Sequence, residues 1–223
     1  MRFLRQVAAI VEKDLAAELR TKESLSAMIV FSVLVLLVFN FAFELQGVDI
    51  TVLGPGVLWV AFIFSGFLGL GRSFAAEKDK GSLEGVMLSP VDRGAVFLGK
   101  AISNFLFISV MEIITLIGFA FLNNAPLPWL PLIPYIVLGT IGFAAMGTLL
   151  GAVAASTKMR EVMLPILFIP VSFPLIMAAV NLTKGALQAH DFSEDAIWFN
   201  ILVAYDAIFL VIAFWVFEYV VEE

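Results

Sequence analysis

The 223-residue sequence contains no cysteine and a single histidine. Without cysteine there can be no disulfide, no thiolate metal site and no covalent haem attachment through sulfur. Charge is scarce too, with Asp, Glu, Lys and Arg together making up 14% of the chain. The thirteen Lys and Arg form no extended basic face and the net charge is −6, so no nucleic-acid partner is expected. There is no G-x-x-x-x-G-K-[ST] stretch and no βαβ pattern to hold one, so any nucleotide must be bound by a separate chain.

What the chain does contain is mostly hydrocarbon. Hydrophobic residues account for 61% of it, 22 of them Phe, and the mean hydropathy is +1.03. A soluble domain of this length could not bury so much apolar surface, so lipid must be its solvent. Six segments are expected to cross a bilayer, at 25–43, 56–70, 101–122, 132–155, 164–180 and 198–220. The second is short on its apolar count and is expected to extend to Phe74. The fifth carries Pro165, Pro170 and Pro174, which remove amide donors, so that span is expected to be bent or broken. The fold class is therefore an all-α polytopic membrane protein of six spans, in a single domain over residues 1–223.

Basic residues set the orientation. Twelve of the thirteen Lys and Arg precede span one or lie between spans two and three or four and five, and only Lys184 falls on the opposite side. The basic face is expected to be cytoplasmic, with both termini inside. The first apolar run begins too far along, and lacks a small-residue cleavage site, to be a removable signal peptide, so a retained anchor is expected. Residues 1–24 are amphipathic: Leu4, Val7, Ile10 or Val11, Leu15 and Leu19 share a helical stripe, as in a helix lying in the membrane interface.

The charged segment 72–100 separates spans two and three. Ser82 can cap a short helix on which Leu83, Val86 and Met87 make a small apolar face. Ser89 and Pro90 end it. They also form a start signal, with Ser89 as N-cap, Pro90 in the first helical position and Asp92 three residues after the cap. A helix running from Pro90 to Leu122 would be roughly 50 Å long, against a hydrocarbon core of ~30 Å, and would project from the membrane with the apolar knob at its tip.

Polar residues inside the spans are few. Glu112 lies near the centre of span three and Asp206 about two turns inside the outer end of span six. Each is expected either to contact another subunit or a transport path, or to be a neutral acid satisfied by a neighbouring helix. Gly147 and Gly151 form a GxxxG pair that predicts close helix packing in span four. The outer segment 181–197 holds His190 beside Asp191, Glu194 and Asp195, interleaved with Leu182, Leu187 and Phe192.

An interfacial helix, two spans, a charged knob, three spans, an outer insertion and a last span resemble the permease of an ABC-2-type (type V) exporter. In detail the chain resembles the CcmB family, haem exporter protein B, the permease subunit of the cytochrome c maturation transporter. "KDLAAELRTKESL" resembles that family's entry segment, and "FAAEKDKGSLEGVMLSPVDR" its F-x-x-D-x-x-D-G-S-L motif followed by a Pro-containing turn. Phe74, Gly81, Ser82 and Leu83 match. Glu77 replaces the first Asp, and Lys80 stands with opposite charge at the second.

The resemblance implies a single permease domain with no catalytic residues, in a bacterial inner membrane. Its coupling helix, formed by Phe74, Glu77, Gly81, Ser82, Leu83, Glu84, Val86, Met87 and Pro90, would seat on a CcmA-like ATPase that binds ATP and magnesium. The implied membrane partners are a CcmC-like haem-handling subunit, a small accessory subunit and a second copy of the chain. Segment 181–197 would form short helices dipping into the outer leaflet. Haem is the implied substrate. His190 is then either a haem-iron ligand or a solvated loop residue; no metal site and no bound cofactor of the chain's own are expected. Two other functions compete: export of another lipid-like or drug-like compound by the same fold, and an intramembrane enzyme using Glu112 and Asp206 as an acid pair.

Overall fold

The computed structural model describes residues 2–44, 49–79, 85, 91–124, 127–155, 157 and 160–220, and among them the secondary structure is helical throughout. Seven long helices follow one another among the described residues: α1 (Arg2–Thr21), α2 (Glu23–Glu44), α3 (Ile50–Asp79), α4 (Arg93–Asn123), α5 (Trp129–Ala155), α6 (Arg160–Leu187) and α7 (Phe192–Val220). Stretches of α2 to α7 make six helices long and apolar enough to span a bilayer, so the chain is a multi-pass membrane protein.

Several boundaries move outward from the expected ones, because hydropathy marks where lipid ends and not where backbone hydrogen bonding ends. α3 begins at Ile50 rather than Gly56 and continues past Phe74 to Asp79, 30 residues in all. At about 1.5 Å per residue it is roughly 45 Å long, well beyond the hydrocarbon core. The long helix expected from Pro90 starts instead at Arg93. Its N-cap is Asp92, in extended conformation, whose carboxylate accepts a 2.8 Å hydrogen bond from the Gly94 N–H. An aspartate one residue before the helix meets the free amides directly, so it takes the role assigned to Ser89. At the other end Asn124 closes α4 in the left-handed conformation.

Span five is unbroken. Despite Pro165, Pro170 and Pro174, α6 is one continuous 28-residue helix. Its packing against α3, α5 and α7 holds it helical through the lost amide donors.

α5 is the centre of the bundle and packs against α3, α4, α6 and α7. Its spanning stretch is 72% buried, against 17% for α2, which lies at the periphery. Small residues let large neighbours enter. Gly139 faces the ring of Trp59, and Gly147 faces Leu70, both on α3. The GxxxG glycine Gly147 thus admits a side chain from α3 in the close packing the pair predicts. Phe143 of α5 meets Phe168 of α6 at 4.8 Å between ring centroids and Phe67 of α3 at 5.8 Å, and Phe67 meets Phe168 at 5.2 Å, so one aromatic cluster ties three helices.

α1 lies against α4, and its apolar stripe divides. Val7, Ile10 and Asp14 are buried, with Ile10 and the Val7 carbonyl on Gly99, while Leu4 and Leu19 remain exposed as an interfacial helix requires. Two turns into α4, the buried Lys100 places its ammonium 3.4 Å and 3.2 Å from the two carboxylate oxygens of Asp14, and Lys13 approaches one of them at 3.1 Å. Hydropathy counts had left Lys100 in the charged segment between spans.

Losing one partner of a buried ion pair strands the other charge. Lys100→Ala is therefore expected to destabilise the protein by about 3 kcal/mol and to open α1 to trypsin. Lys100→Met combined with Asp14→Leu should recover most of that loss. Unfolding in detergent and limited proteolysis of the three proteins measure both effects. A double variant as unstable as Lys100→Ala would show that the pair does not fix α1.

Candidate functional site

Of the residues predicted to couple to an ATPase, Phe74 and Glu77 belong to the last turns of α3. Gly81, Ser82, Leu83, Glu84, Val86, Met87 and Pro90 lie outside the described residues. The chain re-enters at Val91 on the edge of a recess of about 560 Å³, formed by the start of α4 (Asp92, Arg93, Gly94), the end of α7 (Phe214, Trp215, Glu218, Tyr219) and Phe3 of α1. Trp215 and Tyr219 are largely exposed there. The recess is amphipathic and lies at the end of the bundle that carries both termini.

Glu112 is 3% exposed on α4 and meets Thr140 of α5, whose hydroxyl oxygen lies 2.8 Å from each carboxyl oxygen. The same hydroxyl lies 2.8 Å from the carbonyl of Ile136, one turn back. A hydroxyl carries one proton. If Thr140 donates it to the carbonyl, a neutral Glu112 supplies the other, and every group has a partner. If Thr140 donates to a carboxylate instead, a charge is left among apolar side chains at a cost of several kcal/mol. The in-bundle, neutral-acid arrangement is the one the geometry satisfies.

Asp206 is the midpoint of α7, about four turns from its outer end rather than two, because the helix begins at Phe192. Glu194 and Asp195 occupy its first turn, where carboxylates favour the exposed amides. That polar first turn is what a hydropathy boundary excludes. Asp206 is buried against Gly142 of α5 and Leu175 of α6, and neither of its oxygens has a hydrogen-bond partner among the described residues. Thr140 and Gly142 are two residues apart, about 200° around α5. Glu112 and Asp206 therefore lie on nearly opposite sides of that helix, and the acid pair that an intramembrane enzyme would need is not assembled.

Segment 181–197 does not form separate short helices. Residues 181–187 extend α6, and residues 192–197 open α7. A tight turn joins them: Ala189 has a left-handed backbone (φ 55°), the His190 amide donates to the Gly185 carbonyl at 2.9 Å, and the Ala189 amide reaches Ala186. This double closure satisfies the last carbonyls of α6 and leaves no slack for further helices. His190 Nδ1 points at Asp195, 3.6 Å away, with Glu194 at 3.9 Å. Asp195 is itself buried against Gly185.

Other polar ties escaped the sequence reading. Asn104 of α4 donates to Thr148 of α5 at 2.9 Å, Trp59 of α3 donates to Thr183 of α6 at 2.9 Å, and Thr115 of α4 bonds Ser32 of α2 at 2.9 Å. The available signal was the spacing: Asn104 and Glu112 on α4, and Thr140 and Thr148 on α5, each lie eight residues apart, on one helical face.

An amide resembles a neutral carboxyl in shape and can donate to Thr140. Glu112→Gln is therefore expected to unfold within about 0.5 kcal/mol of the parent protein, and Glu112→Leu to lose about 1 kcal/mol, the usual worth of an interhelical hydrogen bond in a membrane. Detergent unfolding of both variants checks this. A loss above about 2 kcal/mol with Gln would mean that the carboxyl is ionised.

A family model described as "CcmB protein" matches residues 5–222. The chain is 27% identical over 182 residues to Heme exporter protein B of Rhodobacter capsulatus, covering 80% of this chain and 83% of that protein. It is 28% identical over 184 residues to the protein of the same name from Paracoccus denitrificans, covering 81% and 84%. With that of Pseudomonas aeruginosa it shares 25% over 186 residues, 83% of each. The similarity takes in the interfacial helix, all six spans and the charged segment between spans two and three, and with almost nothing left outside the matched range this chain belongs to the CcmB family.

Proposed function

We propose that this chain is the membrane permease subunit of an ABC transporter in cytochrome c maturation. It would couple ATP hydrolysis on a separate ATPase chain to export of haem, or to release of haem from a membrane partner to a haem chaperone. The observation that carries this reading is the family match over residues 5–222, with relatives named as haem exporters along four fifths of their length.

The helix lengths support it. α3 and α4, of 30 and 31 residues, are both longer than the hydrocarbon core requires, which fits helices that reach past the lipid to meet a partner chain. A CcmA-like ATPase bearing ATP and magnesium would grip the segment between α3 and α4 through Leu83, Val86 and Met87, with Glu77, Asp79, Lys80 and Glu84 at the rim. The recess beside Asp92 and Trp215 offers further surface on the same end. The pairing of α1 with Lys100 gives the ATPase a second lever, since pushing α4 carries the interfacial helix with it. The chain itself contributes no catalysis. A CcmC-like subunit, a small accessory subunit and a second copy would complete the complex, for which the exposed apolar face of α2 leaves room. The site is a bacterial inner membrane. Twelve of the thirteen Lys and Arg precede span one or lie between spans two and three or four and five, which supports a cytoplasmic location for both termini.

Apolar anchors dominate interface energy, at roughly 1–3 kcal/mol each. Leu83→Ala with Met87→Ala is expected to strip the ATPase from the detergent-extracted complex and abolish coupled turnover, while α2 to α7 stay folded. Lys80→Ala should be milder. Co-purification of the ATPase at the parent yield with the double variant would rule the segment out as the coupling element.

A further inference from the structure

We infer that His190 is an axial ligand that receives haem iron at the outer mouth of the bundle. The inference rests on the haem-transport reading above and deepens it, by naming where on this chain the cargo is held.

Three features of the α6–α7 turn carry it. The first is placement. The two bonds that close α6 come from the amides of Ala189 and His190 itself, so the ring does not hang from a loose loop. The second is orientation. Nδ1 faces the carboxylates of Asp195 and Glu194, and Asp195 is held in place by its packing on Gly185. With carboxylates on the Nδ1 side of the ring, Nε2 is the nitrogen left to serve as a ligand. About a third of the side chain, 35%, is exposed.

The third is the number of donors. A bare divalent ion needs three or four protein ligands, and among the described residues no three His, Cys, Asp or Glu side chains come together to supply them. Haem brings four nitrogens of its own and asks the protein for one axial donor. A single oriented histidine is enough for haem and too little for zinc or copper. The surroundings suit a flat amphipathic ring. Phe192 is 57% exposed and packs on Phe199 at 5.5 Å, and Phe199 packs on Tyr135 at 6.4 Å, which gives an apolar wall next to the turn. Lys184, the one Lys or Arg the sequence assigns to this end, sits in the last turn of α6 and is the available partner for a propionate. Binding forms one Fe–N bond from the Nε2 lone pair and displaces a water from the iron; no electron or proton changes hands.

Ferric haem titrated into the full chain in lipid nanodiscs tests this. The parent protein is expected to saturate at one haem with a shifted Soret band and the high-spin resonance of a ferric haem that carries one imidazole and one water. His190→Ala should lose that spectrum and weaken binding at least tenfold, and added free imidazole should restore the spectrum. Asp195→Asn, nearly isosteric, should weaken binding about tenfold through the lost orientation of the ring. Equal spectra and affinities for the parent and His190→Ala would overturn the assignment while leaving haem transport in place. Haem uptake no greater than that of empty nanodiscs would overturn it as well. The transporter reading stands or falls separately, on whether the ATPase is lost from the Leu83/Met87 variant.

Discussion

The register between α4 and α5 depends on two hydrogen bonds eight residues apart. Asn104 meets Thr148 and Glu112 meets Thr140, and between them Ile108 and Ala144 are buried in the common core. In hydrocarbon there is no water to take over a misplaced polar group, so sliding one helix past the other by a single residue would strand Asn104 and Glu112. Leu and Ile offer no such discrimination against lipid tails. Since α5 is also the helix that α3, α6 and α7 pack on, fixing α5 against α4 fixes the bundle.

The same device recurs. Thr140, Thr148 and Thr183 each bond the carbonyl four residues back and also meet a side chain from another helix. The hydroxyl costs its own helix little, because its proton stays local, while its oxygen remains open to a neighbour. Asp206 is the exception, a buried carboxyl with no partner among the described residues, at the midpoint of the last helix. Intramembrane acids are expensive, and Glu112, equally buried, is paired. The contrast marks Asp206 as the less settled of the two.

Charge divides the molecule along its length. At the terminal-bearing end a buried Lys100–Asp14 pair joins the interfacial helix to the start of α4, beside the segment read as the ATPase contact. At the opposite end a carboxylate-flanked histidine closes the turn between α6 and α7. Long helices connect the two ends, and α6 stays helical through three prolines.

Composition and periodicity alone determined the class, the six spans, the amphipathic first helix and the acidic residues within the membrane. Lipid demands long apolar runs, and such runs can be read without knowing what they touch. The resemblance carried by Phe74, Gly81, Ser82 and Leu83 pointed to the family that the full-length match then established. Helix ends were less legible, since Asp92 and the polar first turn of α7 continue helices where hydropathy had already fallen. The partners were not legible at all. That Lys100 belongs to Asp14, Glu112 to Thr140 and Asp195 to the ring of His190, while Glu112 and Asp206 are kept apart by α5, depends on which helix faces which. A sequence records the face of each helix, but only the packed bundle brings two faces together.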